Sequence, residues 1–123
     1  TVESLRGEGG EFERRDQPQK QHAWAQMRLA WERSQALTYR MLGEVGVDPS
    51  DEQLRRAWAA TVTAMETAPE VASLAVRVCG GRSLLRPSAL ERMYRDARCG
   101  ATMLPWSVEV TLDRLGRAGL YDD

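Results

Sequence analysis

The chain has 123 residues, which is enough for one domain with a single hydrophobic core. Its 42% hydrophobic and 28% charged content is ordinary for a globular protein, and a formal net charge of −1 argues against general affinity for nucleic acid or anionic membranes. No stretch approaches the roughly 20 apolar residues that a membrane helix needs.

The beginning of the chain changes character at Lys20. Residues 1–19 are polar, contain three glycines and both charge signs, and show no apolar periodicity, so we expect a lead-in or linker there. From Lys20, apolar residues recur at three- and four-residue steps, which predicts an amphipathic helix of about six or seven turns. The apolar residues that define this helix are Trp24, Met27, Trp31, Leu37, Met41, Leu42 and Val45. The folded domain is therefore expected to span residues 20–123.

A second helix has a clear start signal. Asp48 or Ser50 can cap it, and Pro49 suits a first helical position. Gln53 stands three residues after Ser50, as in a capping box. The predicted buried stripe of this helix comprises Leu54, Trp58, Val62, Met65, Ala72, Val76 and Cys79.

A proline and a glycine pair mark the course of the second helix. Pro69 falls inside the apolar pattern and should kink or briefly interrupt the helix. The pair Gly80 and Gly81 should end it, because glycine readily adopts the backbone conformation of a helix C-terminus.

Two shorter helices are predicted to follow. Ser88 caps the third, and Glu91 completes an S-x-x-E capping box. Its inward residues are Leu90, Met93 and Ala97. The fourth begins near Pro105 and ends before Gly119, with one apolar face formed by Val108, Leu112 and Leu115. No segment shows the two-residue alternation of a strand, so the predicted fold is all-α, an antiparallel four-helix bundle.

The segment 77–98 concentrates arginine around the glycine pair. Its arginines are Arg77, Arg82, Arg86, Arg92, Arg95 and Arg98. Adjacent glycines let a ligand approach the backbone closely, and the planar guanidinium fork binds phosphate, so together they suit a pyrophosphate. The alternative is that the glycines only end a helix, while the arginines extend their charged heads into solvent or pair with Glu91 and Asp96. Composition alone favours that alternative.

Three stretches in register resemble one known family. Residues 75–81 read A-V-R-V-C-G-G, and residues 90–98 read L-E-R-M-Y-R-D-A-R. Within residues 21–40, the chain reads Q-H-A-W-A-Q-M and then A-L-T-Y-R. Residues 75–81 are similar to the pattern A-V-Q-x-x-G-G, and residues 90–98 to V-E-R-x-x-R-D-A-K. The two parts of residues 21–40 are similar to Q-x-K-L-A-D-M and A-R-x-L-x-Y-R. All of these patterns belong to the C-terminal helical domain of acyl-CoA dehydrogenases. The resemblance covers essentially everything after Arg14, in the right order and at compatible spacings.

The resemblance implies that this chain is part of a flavoprotein. The whole enzyme would carry out α,β-dehydrogenation of an acyl-CoA thioester. In that family the glycine-pair helix end contacts FAD that is bound mainly by a neighbouring subunit. This role would carry over to Gly80 and Gly81, and also to Arg77, Val78 and Cys79 beside them. Arg77 stands where the family usually has Gln, and an arginine can still donate hydrogen bonds to the cofactor's phosphates.

The family's catalytic position is not preserved. Many members have an E-G-T loop whose glutamate removes the α-proton, and here that glutamate position falls on Leu104, followed by Pro105 and Trp106. Leucine cannot accept a proton, and Glu109 lies more than one helical turn away, so we assign no catalytic residue. Either the base lies in sequence outside this chain, or this subunit is non-catalytic and pairs with an active partner.

The remaining candidates concern the start of the fourth helix and the thiols. Trp106 and Ser107 are further candidate FAD contacts, with a flavin-stacking role for Trp106 set against a core role. A core role is the expectation for all the tryptophans, Trp24, Trp31, Trp58 and Trp106. The single histidine, His22, leaves little room for a metal site, and the two cysteines indicate free thiols in a reduced, cytoplasmic protein.

The leading hypothesis is therefore the C-terminal, FAD-contacting and subunit-contacting domain of a flavoprotein of fatty acid or lipid metabolism. The whole enzyme that contains this domain would act on acyl-CoA. The enzyme would be a homo-oligomer or would assemble with a second flavoprotein subunit. The alternative is a non-catalytic helical partner that completes or dimerises with an active flavoprotein. A nucleic-acid binder ranks third, because Tyr94 alone interleaves the arginines with an aromatic side chain.

Overall fold

The computed structural model describes residues 16–121, which form four α-helices. The helices are α1 (Pro18–Glu44), α2 (Asp51–Cys79), α3 (Ala89–Gly100) and α4 (Val108–Leu120), and a 3₁₀ turn at Gly81–Leu84 joins α2 to α3. No strand occurs within these residues, so the predicted all-α class is confirmed. The first helix begins at Pro18 instead of Lys20, and most of the predicted lead-in lies outside the described residues.

The start of α2 forms the predicted capping box. The Ser50 hydroxyl accepts a hydrogen bond from the Gln53 N–H at 3.3 Å, and Gln53 Oε1 accepts one from the Ser50 N–H at 2.8 Å. Ser50 is therefore the cap and Asp48 is not. The prediction for Pro49 was wrong, because this residue precedes the cap instead of occupying the first helical position.

Pro69 does not interrupt α2. The helix is continuous from Asp51 to Cys79, and Pro69 is one of its buried residues. A proline inside a helix removes one backbone hydrogen bond. Pro69 is buried and lines one groove together with Val108 of α4.

The ends of the two shorter helices, α3 and α4, differ from those predicted. The Ser88 hydroxyl caps α3 by accepting from the Leu90 N–H at 3.3 Å. The Glu91 carboxylate does not complete the box, because it accepts charge-assisted hydrogen bonds from Arg95 instead. In α4 the helix begins after Pro105, and Gly119 lies inside it instead of beyond its end.

Helix α2 is the centre of the domain, and α1, α3 and α4 each pack against it. Helix α1 runs antiparallel to α2, because Glu44 at its end meets the start of α2 while Ala23 near its beginning lies beside Leu74. One buried cluster joins three of the helices. Met27 and Ala75 form its centre, and Val71, Leu74, Val78 and Leu90 pack around them.

A polar cluster fixes the connection between α1 and α2. Gln53 Nε2 donates to the Glu44 carbonyl oxygen at 2.7 Å, and the Glu44 carboxylate pairs with both Arg40 and Arg56 at 2.8 Å. The hydrogen bonds from Arg40 and Arg56 lower the pKa of Glu44. The stability from this carboxylate is therefore present above its ordinary pKa and is lost as the pH falls through the lowered pKa.

The predicted buried residues of α1 were wrong in part. The helix buries Ala23, Met27 and Ala30, whereas Trp24 is 43% and Trp31 is 56% exposed. Small side chains allow two long helices to approach closely, so the bulky indoles lie beside the contact instead of within it. Other predicted inward residues that are also exposed are Leu37, Leu42, Val45, Met93 and Leu112.

The predicted buried residues of α2 agree better with the structure than those of α1. Val62 and Ala72 are buried, together with Ala60 and Ala75. The remaining members of the stripe are half-buried, namely Leu54, Trp58, Met65, Val76 and Cys79. This pattern agrees with a central helix that contacts neighbours along most of its length.

We expect Gly116→Ala to raise the free energy of unfolding by about 0.5–1 kcal/mol, because glycine inside a helix costs that much relative to alanine. Gly116 is exposed in the middle of α4, and a Cβ built there meets no other atom within 4 Å. Urea unfolding followed by circular dichroism measures the change. Equal or lower stability of the variant would contradict a regular helix through this residue.

Candidate functional site

The glycine pair at the end of α2 exposes its backbone. Gly80 has φ 84° and ψ 174°, a conformation that L-residues rarely adopt, and its N–H donates to the Val76 carbonyl at 2.9 Å. The Ser83 hydroxyl and N–H both donate to the Gly80 carbonyl, which holds the 3₁₀ turn against the helix end. Both Gly80 and Gly81 are exposed, and a Cβ on either would meet nothing within 4 Å. A ligand can therefore approach this backbone.

The three residues before the pair differ in accessibility. Arg77 is exposed, whereas Val78 and Cys79 are half-buried. Val78 packs against the Met27–Ala75 cluster, so it serves the core as well as the surface. Cys79 is a free thiol. Of the predicted contacts at this helix end, Arg77 and the glycine backbone are the most accessible to a ligand.

A groove opens beside this helix end, between the first turns of α1 and the last turns of α2. Its volume is about 870 Å³. The lining residues are Pro18, Gln19, Lys20, His22, Ala23, Gln26, Leu74, Arg77 and Val78. Three of these side chains are basic and none is acidic, so the groove is suited to an anion.

The beginning of α1 adds to the positive character of the groove. Gln17 precedes the helix without a side-chain capping hydrogen bond, and the first turn contains no acidic residue. The first turn of α1 therefore supplies no carboxylate to the positive end of the helix dipole. In the described part of the chain, neither Lys20 nor Arg77 forms an ion pair.

The arginines of the segment 77–98 fall into two groups. Arg95 pairs with Glu91 at 2.6 Å, and Arg92 pairs with Asp96 at 3.4 Å; the two partners of each pair are one turn of α3 apart. The hydrogen bond to Glu91 raises the pKa of Arg95. These two arginines follow the alternative explanation, in which arginine pairs with neighbouring carboxylates. The arginines without such an ion pair among the described residues are Arg77, Arg82, Arg86 and Arg98.

Ser107 is the buried cap of α4. Its hydroxyl accepts from the Val110 N–H at 3.3 Å, and its carbonyl accepts from the Thr111 hydroxyl at 2.9 Å. Such a cap stabilises a helix by about 1 kcal/mol. Ser107 therefore has a structural role whether or not it also contacts a ligand.

Trp106 is not a core residue. It is 51% exposed, and the Arg114 guanidinium lies over its ring at 4.7 Å from the centroid, a cation–π contact. The predicted core role for this tryptophan was wrong, because the loop before α4 directs the ring along the outside of that helix. One face of the indole is covered by Arg114.

The structure separates the predicted contacts into two places. Trp106 and Ser107 do not line the groove beside Arg77. The next residue, Val108, lines a second groove of about 670 Å³ together with Pro69 of α2. Because a helix rises about 1.5 Å per residue, Pro69 and Gly80 lie about 16 Å apart along α2.

This second groove is mainly acidic. Its charged lining residues are Glu66, Glu70, Glu109 and Arg98. Leu104 does not line it, and that side chain is 78% exposed. Among the described residues, no group of three or more histidine, cysteine, aspartate or glutamate side chains is placed to hold a metal ion. No helix within residues 16–121 is long and apolar enough to cross a membrane.

Of the residues that line the groove, only Arg77 and Val78 were identified as site candidates from the sequence; the polar lining residues Lys20, His22 and Gln26 were not. They lie far from Arg77 in the chain, and the antiparallel packing of α1 on α2 brings them to the same groove. One local signal was present. Basic Lys20 and His22 occupy the beginning of a helix, where acidic residues are usual.

These observations define the class of the chain as an all-helical domain with a cationic groove at a glycine-capped helix end. A family model described as "Acyl-CoA dehydrogenase, C-terminal domain" matches residues 9–119, and the chain belongs to this family. The resemblance found in the three sequence stretches is thus confirmed. A search of the curated proteins and a search of the solved structures gave no match.

Proposed function

We propose that this chain is the FAD-contacting and subunit-contacting domain of an acyl-CoA dehydrogenase-like flavoprotein, whose substrate is an acyl-CoA thioester. The observation that carries the proposal is the groove beside the glycine pair, which presents Lys20, His22 and Arg77 and, among the described residues that line it, no carboxylate. FAD carries a pyrophosphate, which needs positive charge and hydrogen-bond donors. When bound, FAD supplies the acceptor for the hydride that leaves the substrate.

Each proposed contact at the end of α2 has a distinct role. The Arg77 guanidinium can donate two parallel hydrogen bonds to a phosphate. Gly80 and Gly81 permit close approach of the cofactor to the backbone, since a Cβ is absent from both. Val78 and Cys79 contribute the less polar side of the contact. These residues therefore fit the group that the family binds.

Trp106 and Ser107 form a second proposed contact, apart from the groove. The face of the Trp106 indole that Arg114 leaves open is available for stacking against an aromatic ring. The Ser107 hydroxyl already accepts from the Val110 N–H, and its own proton remains available for donation. Both residues lie at the start of α4, whose first turn also contains the carboxylate of Glu109.

Proton abstraction is not assigned to this chain. Leu104 occupies the position of the family's glutamate, and an aliphatic side chain has no atom that accepts a proton. The proposal therefore limits the chain to binding and orientation. A non-catalytic partner subunit, which completes the cofactor site of an active flavoprotein, is the second candidate function that Leu104 supports.

Subunit contacts are proposed for the apolar surface of α1. Trp24, Trp31 and Leu42 lie on the same side of this helix, because their positions differ by nearly whole turns, and all three are exposed. Large exposed aromatic and aliphatic side chains are typical of protein interfaces. This surface lies beside the α1–α2 contact, so it is free to contact a neighbouring subunit.

Sedimentation velocity of the purified protein with FAD tests the proposal. We expect flavin absorbance to sediment with the protein and the sedimentation coefficient to rise when FAD is present. FMN is the matched control, because it has the same ring system but lacks the adenosine monophosphate portion and therefore the pyrophosphate. Flavin that remains in the slow fraction, with no change in protein association, would exclude the proposed function.

A further inference from the structure

We propose that residues 82–86, which follow the glycine pair between α2 and α3, form a docking surface for membranes that contain anionic phospholipids. We call this segment the leucine turn. Its central residues are Leu84 and Leu85, and Arg82 and Arg86 stand on either side of them in the sequence. The inference goes beyond the proposed function, because none of these four residues is among those that line the groove beside the glycine pair.

The two leucines of the leucine turn face solvent. Leu84 is 48% exposed and Leu85 is 60% exposed. Single exposed apolar residues are ordinary on a protein surface, whereas adjacent ones form a patch that marks a site of contact with a protein or a membrane. The leucine turn therefore has apolar surface that a partner would cover.

Hydrogen bonds hold the leucine turn in this conformation. The Ser83 side chain is buried, and its hydroxyl donates to the Gly80 carbonyl at 2.6 Å. The Leu85 N–H donates to the Arg82 carbonyl at 3.2 Å, and the Leu85 carbonyl accepts from the Ser88 N–H at 2.8 Å. The inward anchor and the outward leucines thus belong to one hydrogen-bonded segment, so binding needs little further ordering of the backbone.

The charge around the leucine turn is positive. The chain has no acidic residue between Glu70 and Glu91, and this stretch contains three arginines. Arg82 and Arg86 are exposed and form no ion pair within the part of the chain that the structure describes. Glu91, the first carboxylate after the turn, is already paired with Arg95. The net charge of −1 gives the whole chain no general attraction to anionic membranes, so the leucine turn is a local exception.

This combination of side chains fits a lipid surface. An arginine near an anionic membrane is attracted to the headgroups, and its aliphatic stem extends along apolar surface while the guanidinium stays in water. Leucines gain free energy when they enter the boundary of the acyl chains, a gain that the phosphates of a nucleic acid do not offer.

The small size of the leucine turn favours a membrane over a protein partner. A stable protein interface takes about 20–30 residues from each side and requires a complementary shape. A lipid surface adapts to what it contacts, so two leucines between two arginines are enough for reversible binding. A protein partner is the alternative occupant, and vesicle binding distinguishes the two.

Co-sedimentation of the full 123-residue chain with vesicles tests the proposal. One kind of vesicle contains three parts phosphatidylcholine to one part phosphatidylserine, and the other contains phosphatidylcholine alone. We expect the protein to sediment with the first kind and to stay in the supernatant with the second. Added salt should weaken the binding, because it screens the arginines from the headgroups. Soluble glycerophosphoserine should not displace the protein, because it offers the leucines no apolar layer.

Substitutions in the leucine turn should weaken vesicle binding. We expect Leu85→Gln to reduce the affinity about tenfold, because burial of a leucine side chain stabilises by at least that factor. We expect Arg86→Gln to reduce it about fivefold, the contribution of one basic residue near an anionic surface. Both residues are exposed, so circular dichroism should show that the helices are retained.

Leu120→Gln and Arg33→Gln are the matched controls. Leu120 is 79% exposed at the end of α4, and Arg33 is exposed on α1, so the same chemical changes are made away from the leucine turn. Both variants should keep the vesicle affinity of the wild-type protein. The inference is overturned if the wild-type protein stays in the supernatant with both kinds of vesicle, which would leave a protein as the occupant. Equal losses for Leu85→Gln and Leu120→Gln would overturn it as well.

Leu85→Gln also separates this inference from the proposed function. Because Leu85 does not line the groove beside the glycine pair, the variant should sediment with FAD as the wild-type protein does. A protein that binds FAD but not vesicles would refute the membrane inference alone. A protein that binds vesicles through the leucine turn but does not bind FAD would refute the proposed function alone.

Discussion

Gly80→Ala lowers the free energy of unfolding by about 1–3 kcal/mol, the usual cost of placing an L-residue in a sparsely populated backbone conformation. Gly80 ends α2 with φ 84° and ψ 174°, a region that is accessible almost only to glycine. A Cβ on this residue would meet no atom within 4 Å. The expected loss therefore reflects backbone strain and not a clash with neighbours.

Gly81→Ala is the matched control for this prediction. Gly81 is adjacent and equally open, but it is not among the positive-φ residues. Alanine at a compatible position is neutral or stabilises by up to about 1 kcal/mol, through the entropy of the unfolded chain. Urea unfolding of both variants gives the comparison. Similar stability of the two variants would show that the end of α2 does not require glycine at residue 80.

Ala30→Leu destabilises the domain by about 1–3 kcal/mol, because extra methylene groups in a packed interior force side chains or backbone to move. Ala30 is 0% exposed and lies on the side of α1 that packs against α2. The two long helices meet through small residues there, so the larger side chain would push them apart. Since this contact also forms the groove, its walls should separate as well.

The control for this substitution is Ala36→Leu on the same helix. Ala36 is exposed, and leucine has nearly the helix propensity of alanine, so we expect a change within about 0.5 kcal/mol. Thermal unfolding distinguishes the two variants, because a loss of 1 kcal/mol lowers the melting temperature of a domain this size by about 4 °C. Equal melting temperatures would contradict the packing of α1 through its alanines.

Both ends of α2 and the start of α3 were predictable because their signals are local. Ser50 with Gln53, the cap at Ser88 and the glycine pair after Cys79 each lie within a few residues of the end that they define. The capping interactions depend on backbone groups of the same turn, so they are independent of the rest of the fold. At Pro69 the expectation was a kink or a brief interruption, and the helix is not interrupted, since it runs from Asp51 to Cys79 with Pro69 buried inside it.

The buried face of α1 was less predictable. Periodicity locates apolar residues on a helix, and we expected the largest of them, Trp24 and Trp31, to lie inside. The structure places small residues in the contact instead, at Ala23 and Ala30. Alanine gives a weak signal in a sequence, because it is compatible with both an exposed and a buried position.

The site was predictable only where it is continuous in sequence. Arg77 and the glycine pair belong to one stretch that resembles the family, so they were identified together. Lys20 and His22 line the groove beside Arg77 through tertiary packing, and no spacing rule links them to Arg77. Conversely, Trp106 seemed a core residue by its type, yet it lies exposed beneath Arg114.

Hydrogen–deuterium exchange with and without saturating FAD tests most directly whether the end of α2 is a cofactor-facing surface. FAD is expected to slow amide exchange in residues 77–84, around the glycine pair, and in residues 18–26 at the beginning of α1. Protection of these two segments together would locate the cofactor in the groove between them. Unchanged exchange in both segments at saturating FAD would contradict a cofactor contact at this surface.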